Sequence, residues 1–245
     1  MSLRDRWETH ADAWISWARA PNHDSFWRHH RDQFLAILPP PDRLTVDSGC
    51  GEGRLARHLR QLGYAVVGID ASPSLVAAAR ATDPSTQMVL ADAAALPVAD
   101  GCADLAIAFM SLQDVDDMPM AVREAARILR PGGRFCLAIV HPLNSAGRFA
   151  STAADAPFVI KGDYLRPFGH SDVVERDGLR MTFHSRHRSL ESYFSALEEA
   201  GFLIETLKEP EIPDHAFVSA SSRRWQRVPL FLHLRARRSA ASQRA

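Results

Sequence analysis

Cysteine is scarce in this 245-residue chain, which carries three: Cys50, Cys102 and Cys136. An odd, scattered set offers neither a disulfide framework nor a zinc site, and no metal centre is expected. Each cysteine lies in or beside a predicted strand and reads as a buried free thiol. Net charge is also absent, since 29 Lys+Arg balance 29 Asp+Glu. Bulk attraction to nucleic acid therefore has no basis. No apolar run approaches the ~20 residues that a membrane helix requires. The first residues, Met1-Ser2-Leu3-Arg4-Asp5-Arg6, lack an apolar signal core. Internal repeats are missing too. These absences lead to the expectation of a cytoplasmic globular protein with neither a nucleic-acid nor a membrane partner. Its oligomeric state stays open.

What is present has a clear order. Two amphipathic helices are expected over 5–19 and 24–38, rich in Trp7, Trp14, Trp17, Phe26, Trp27 and Phe34. Asp24 stands where it can cap the second. From 44 onward strands and helices alternate. Strands are expected at 44–46, 65–69, 87–90, 103–109 and 134–140, with helices at 53–62, 73–80 and 119–129 between them. A final helix, 190–200, precedes strands at 202–207 and 230–234, and the tail beyond Arg237 should fray. Repeated strand–helix–strand units imply an α/β, doubly wound, mostly parallel sheet of Rossmann-like type. One domain is expected: a helical cap (1–40), a core (43–141), an irregular substrate-side insertion (142–188) and the rest of the core (189–236).

The strongest chemical feature is Val46-Asp47-Ser48-Gly49-Cys50-Gly51-Glu52-Gly53, at the end of the first strand. Alternate glycines clear Cβ atoms from a tight turn, so backbone can approach a ligand. Asp70 ends the second strand, 21 residues beyond Gly49. A carboxylate there suits the hydroxyls of an adenosine ribose. Asp92 follows the third strand, one strand over, within reach of an adenine amino group. Open parallel sheets bind ligands at these carboxyl ends.

These segments resemble the class I S-adenosylmethionine-dependent methyltransferases, in the branch acting mostly on small molecules. The resemblance rests on the glycine turn, Gly68-Ile69-Asp70-Ala71-Ser72, Ala91-Asp92-Ala93-Ala94-Ala95-Leu96-Pro97, Ala126-Arg127-Ile128-Leu129-Arg130-Pro131-Gly132-Gly133 and Leu197-Glu198-Glu199-Ala200-Gly201-Phe202. It covers roughly 44–140 and 190–235. It implies a seven-stranded sheet with its last strand antiparallel, and S-adenosylmethionine as cofactor. It further implies that Gly49, Cys50 and Gly51 pack against the methionine part. Asp47 would organise the loop and help hold the amino group. Asp70 would take the ribose hydroxyls, with Ala71 along the adenine, and Asp92 and the Ala93 amide would take the base. Met110 and Ser111 would lie near the sulfonium, and Trp14 would cover the methionine end.

The implied reaction is an in-line displacement by an oxygen, nitrogen or carbon of a small molecule, with the protein chiefly aligning two reactants. A base is needed only for a nucleophile of high pKa. His141 and Asp114, where the fifth and fourth strands end, are the candidates. His184 and His187 read as solvated loop residues. Seven basic residues against five acidic ones across 142–188 are too even to indicate an anionic acceptor. The segment Phe109-Met110-Ser111-Leu112 is not the proline-rich motif of amino-methylating nucleic-acid enzymes. Two other readings stand beside methyl transfer. A nicotinamide-dependent oxidoreductase is disfavoured by Arg54, which occupies the sixth position of the dinucleotide glycine fingerprint. A non-catalytic adenosyl-ligand binding module is the other.

Overall fold

The computed structural model describes residues 1–212 and 220–240. The N-terminal part forms four short helices: α1 (Leu3–Thr9), α2 (Ala11–Arg19), α3 (Ser25–His29) and α4 (Arg31–Leu35). Ser2 and Asp5 form a capping box on α1, and Asp24 Oδ1 accepts the Trp27 amide hydrogen at 3.1 Å. Both long helices expected here are interrupted at a histidine. At His10 the backbone leaves the helical region (φ −106°, ψ 12°), and His30 does the same (φ −121°, ψ −11°). Each imidazole bonds locally, His10 to the Arg6 carbonyl and His30 to Gln33, which competes with continuous helix.

The core then alternates: β1 (Thr45–Ser48), α5 (Arg54–Gln61), β2 (Val66–Asp70), α6 (Pro73–Thr82), β3 (Gln87–Leu90), β4 (Ala103–Phe109), α7 (Met118–Ile128) and β5 (Leu129–Val140). It is followed by α8 (Pro142–Ala146), β6 (Gly147–Phe149), β7 (Phe158–Ile160), β8 (Phe168–Arg176) and β9 (Leu179–His187). The chain closes with α9 (Leu190–Glu199), β10 (Phe202–Lys208) and β11 (Phe231–Arg238).

Seven strands form one sheet in the order β10-β11-β5-β4-β1-β2-β3. β11 runs antiparallel to both neighbours, and the pairs within β1 to β5 are parallel. Side chains of β4 and β5 alternate between two apolar layers. Ala106, Ala108, Leu137 and Ile139 face the layer of α7 and α9. Leu105, Ile107, Cys136 and Ala138 face α5 and the N-terminal helices. The order reverses at β1, between β4 and β2, and such a switch point opens a crevice at the carboxyl ends.

Three expectations need correction. The Arg130-Pro131-Gly132-Gly133 turn lies inside β5, because α7 stops at Ile128. It loops out where the β4–β5 register slips, and Gly132 takes φ +79° there. The region expected to be irregular holds two antiparallel hairpins, β6–β7 and β8–β9. β11 continues to Arg238, one residue beyond the expected end of order, and 241–245 lie outside the described residues.

Candidate functional site

A cavity of about 780 Å³ opens at the carboxyl ends of β1 to β4 and extends beneath the β8–β9 hairpin. The glycine turn forms one wall. Gly49, Gly51 and Gly53 all have positive φ, at 75°, 57° and 80°. The amides of Gly49 and Cys50 both donate to the Ile69 carbonyl, at 2.7 and 3.0 Å. A Cβ on Gly49 would stand 2.4 Å from that of Ser111, so this glycine lets β4 close against the turn. Ser111 is fixed in turn by donating to the Ser48 carbonyl at 2.7 Å. At Gly51 a Cβ would meet only the Trp14 indole nitrogen, at 3.4 Å. Cys50 reaches the cavity too, its thiol lying 3.9 Å from the Met88 sulfur. Burial pushes that thiol well above its usual range, so it stays neutral.

The three acids at the strand ends all line the cavity but differ in state. Asp70 accepts the Gly51 amide hydrogen at 2.8 Å and that of Ser72 at 2.9 Å. Asp70 is therefore the residue that organises the glycine turn, a role the sequence assigned to Asp47. Burial still raises its pKa against those two hydrogen bonds. Asp92 accepts the Ala94 amide hydrogen through one oxygen, at 2.8 Å. Asp47 is fully buried, and neither of its oxygens has a hydrogen-bond partner. Burial first, and then the nearby Asp70 charge, push its carboxyl up to about 7.

An unpartnered buried carboxyl asks for a cationic or donating ligand. Its complement stands at the other end of the same motif. Arg54 ion-pairs with Asp24 and lies between the Trp14 and Trp27 rings, at 5.1 and 4.8 Å, yet its Nη1 is buried without a partner. One orphaned acceptor and one orphaned donor fit the ammonium and carboxylate of an amino-acid zwitterion. The sequence reading used Arg54 only to argue against a dinucleotide. Among the apolar neighbours, Ala71, Ala91, Ala93 and Leu75 line the part next to Asp70 and Asp92.

Met110 and Ser111 line the cavity where β4 ends, and Met110 holds a left-handed conformation at φ +56°. Such strain in a non-glycine residue collects at functional positions. Trp14 also lines it, edge-on to Trp7 at 5.9 Å and to Phe183 at 6.0 Å.

The two candidate bases separate. Asp114 lines the cavity and accepts the Ser185 hydroxyl hydrogen at 2.6 Å. Burial pushes its carboxyl up to about 8, opposed by Ser185 and by the Arg188 charge. His141 does not line the cavity. Pro142 turns the chain, so the imidazole caps α8 through Nδ1, which accepts the Leu143 amide hydrogen at 3.0 Å. Its Nε2 lies 3.0 Å from Glu209, and burial lowers its pKa. His184 and His187, expected in solvent, are buried at 6% and 1% exposure. Phe183 and Ser185, cavity residues of β9, carried no signal because polar residues occupy both faces of that strand.

Comparison with known proteins agrees with this architecture. A family profile described as a methyltransferase domain matches residues 46–137. Malonyl-[acyl-carrier protein] O-methyltransferase of Pectobacterium atrosepticum is 37% identical over 103 residues, covering 42% of this chain and 41% of that protein. The chain thus matches about two fifths of the length of this curated relative. An S-adenosylmethionine dependent methyltransferase from Mesorhizobium loti superposes with a TM-score of 0.69 at 28% identity, over 84% of this chain and 96% of the other. A Burkholderia thailandensis 1,6-didemethyltoxoflavin-N1-methyltransferase, solved with S-adenosylhomocysteine, shares the fold at a TM-score of 0.60 and 18% identity, over 97% and 88% of the two chains.

Proposed function

This chain belongs to the class I S-adenosylmethionine-dependent methyltransferases, and from that premise we propose that it methylates an oxygen, nitrogen or carbon of a small-molecule acceptor. The observation that carries the cofactor assignment is the buried, unpartnered Asp47 carboxyl in the wall of the glycine turn. When bound, S-adenosylmethionine supplies an electrophilic methyl group on a sulfonium. Asp47 and Arg54 would hold its amino-acid end, Asp70 its ribose hydroxyls and Asp92 its adenine. A dinucleotide leaves the orphaned pair at 47 and 54 unexplained.

The remaining work falls to the other half of the cavity. Trp7, Trp14, Trp17 and Phe183 line it and keep water from the reacting atoms. Asp114, not His141, is the group placed to take a proton from the acceptor. A carboxyl titrating at about 8 holds its proton more firmly than an ordinary aspartate, so its anion is the stronger base. The base form prevails above that pH. Turnover of a hydroxyl acceptor should therefore rise with pH through about 8 and then level.

Labelled cofactor offered with a panel of alcohols, amines, enols and carrier-tethered acyl groups tests the activity. The tethered acceptor belongs in the panel because the Pectobacterium relative acts on malonyl-[acyl-carrier protein]. With an accepted hydroxyl compound, Asp114→Asn should lower kcat by about 100-fold or more and flatten the pH profile. An unchanged profile would remove Asp114 from proton transfer. Absence of label transfer despite tight cofactor binding would favour the binding-module reading.

A further inference from the structure

The acceptor half of the cavity is built from hydrogen-bond acceptors whose companion hydrogens are already committed. Gln113 is 5% exposed. Its amide nitrogen donates to the Met110 carbonyl at 2.7 Å and lies 3.4 Å from Asp114 Oδ2. Both partners are acceptors, which fixes the orientation of the amide and leaves Oε1 buried with no partner. The Ser185 hydroxyl gives its only hydrogen to Asp114.

A third group behaves alike. Ser145 Oγ lies 2.7 Å from His187 Nδ1, and His187 Nε2 lies 2.9 Å from the Tyr164 carbonyl. A carbonyl only accepts, so Nε2 carries the imidazole hydrogen and Nδ1 receives that of Ser145. The second acceptor near Ser145, the Pro142 carbonyl at 3.2 Å, competes for the same hydrogen. Either way the oxygen turns only lone pairs to the cavity it lines. Ser185 and His187 are two apart on β9 and share a face, which brings the Ser145 pair beside the Ser185 pair.

The nearby cations are engaged elsewhere. Arg176 donates to the carbonyls of Asn22 and His23, and Arg188 to those of Gln113, Val115 and Asp116. Arg4 and Arg148 are exposed. Arg54 belongs to the glycine turn. A carboxylate placed against Gln113, Ser145 and Ser185 would face lone pairs on every side. A molecule bearing N–H or O–H groups would satisfy all three oxygens.

Resting on the methyltransferase reading, we infer that the methyl acceptor is an amine or a hydroxyl compound, received by Gln113 Oε1, Ser145 Oγ and Ser185 Oγ, and that carboxylates are rejected at this position. Sites built to pair with a substrate hydrogen discriminate strongly against analogues lacking it, because the buried groups are then left unpaired. The aromatic walls suit an apolar body on the same molecule.

Ligand-observed NMR on protein saturated with S-adenosylhomocysteine separates the claims. The probes are benzylamine, benzyl alcohol, benzyl methyl ether and benzoate, which share one body. Benzylamine and benzyl alcohol should bind at least about tenfold more tightly than the ether or benzoate. Ser145→Ala and Gln113→Met should each cut that preference several-fold while leaving S-adenosylhomocysteine affinity unchanged. Two variants in different elements guard against one failing to fold. Equal or tighter binding of benzoate or the ether overturns the inference, as does no binding by either donor probe. Failure of S-adenosylhomocysteine itself to bind overturns the methyltransferase reading beneath it, and the titration reports that separately.

Discussion

Replacing Asp47 with asparagine is expected to stabilise the ligand-free protein at pH 8 while weakening its hold on S-adenosylmethionine. The carboxyl titrates at about 7 when folded, against a model value of 3.8. A raised acid binds its proton more firmly in the folded chain than in the unfolded one. The folded state is therefore favoured fully below the unfolded value, and that advantage drains as pH climbs toward 7. At 1.36 kcal/mol per unit, the ionised form at pH 8 is penalised by on the order of 2–4 kcal/mol. Asparagine carries no such penalty. Denaturant melts should show the variant more stable at pH 8 and nearly equal to the parent at pH 4. Cofactor affinity should fall about 10- to 100-fold, since a charge-assisted contact to the ammonium is lost. A variant that loses stability and affinity together would identify Asp47 as a structural residue.

Gly49→Ala should destabilise the fold by about 2–4 kcal/mol, well beyond Gly51→Ala. Both positions have positive φ, which costs a side chain about 1–2 kcal/mol. Their surroundings separate them. The new methyl at 49 would stand 2.4 Å from Ser111 Cβ and 2.7 Å from its Oγ. Ser111 cannot retreat without breaking its bond to the Ser48 carbonyl, so overpacking adds about 1–3 kcal/mol. The methyl at 51 would meet only the Trp14 indole edge at 3.4 Å. Gly51→Ala should therefore stay near the backbone cost and express itself in cofactor affinity, because it intrudes on the cavity. Equal losses of stability at both positions would contradict this division.

The glycine turn and the acids at 47, 70 and 92 were legible in the sequence because their spacing follows the strand ends themselves. β4 and β5 were legible as apolar runs buried on both faces. The β8–β9 hairpin was not. Its residues, such as His170-Ser171-Asp172 and His184-Ser185-Arg186, show no apolar alternation, since one face lines a polar cavity and the other packs on the N-terminal helices. The interruptions of the N-terminal helices escaped for a related reason. A histidine is an adequate helix former by composition, and only its local hydrogen bonds at His10 and His30 reveal the break. Chain position also misplaced His141, which follows β5 directly yet is drawn into a cap by Pro142. Asp47 shows the opposite limit. Its place in the motif was plain, but only the structure reveals that no protein group answers its charge.

Proton release on ligand binding tests that unanswered charge most directly. At pH 6 the Asp47 carboxyl is mostly protonated, and an arriving ammonium should displace its proton. Calorimetric titration of S-adenosylhomocysteine in buffers of different ionisation enthalpy counts the protons set free. Close to one more proton per bound ligand should leave the parent protein than leaves Asp47→Asn. Identical proton counts in the two proteins would show that the amino group is held elsewhere.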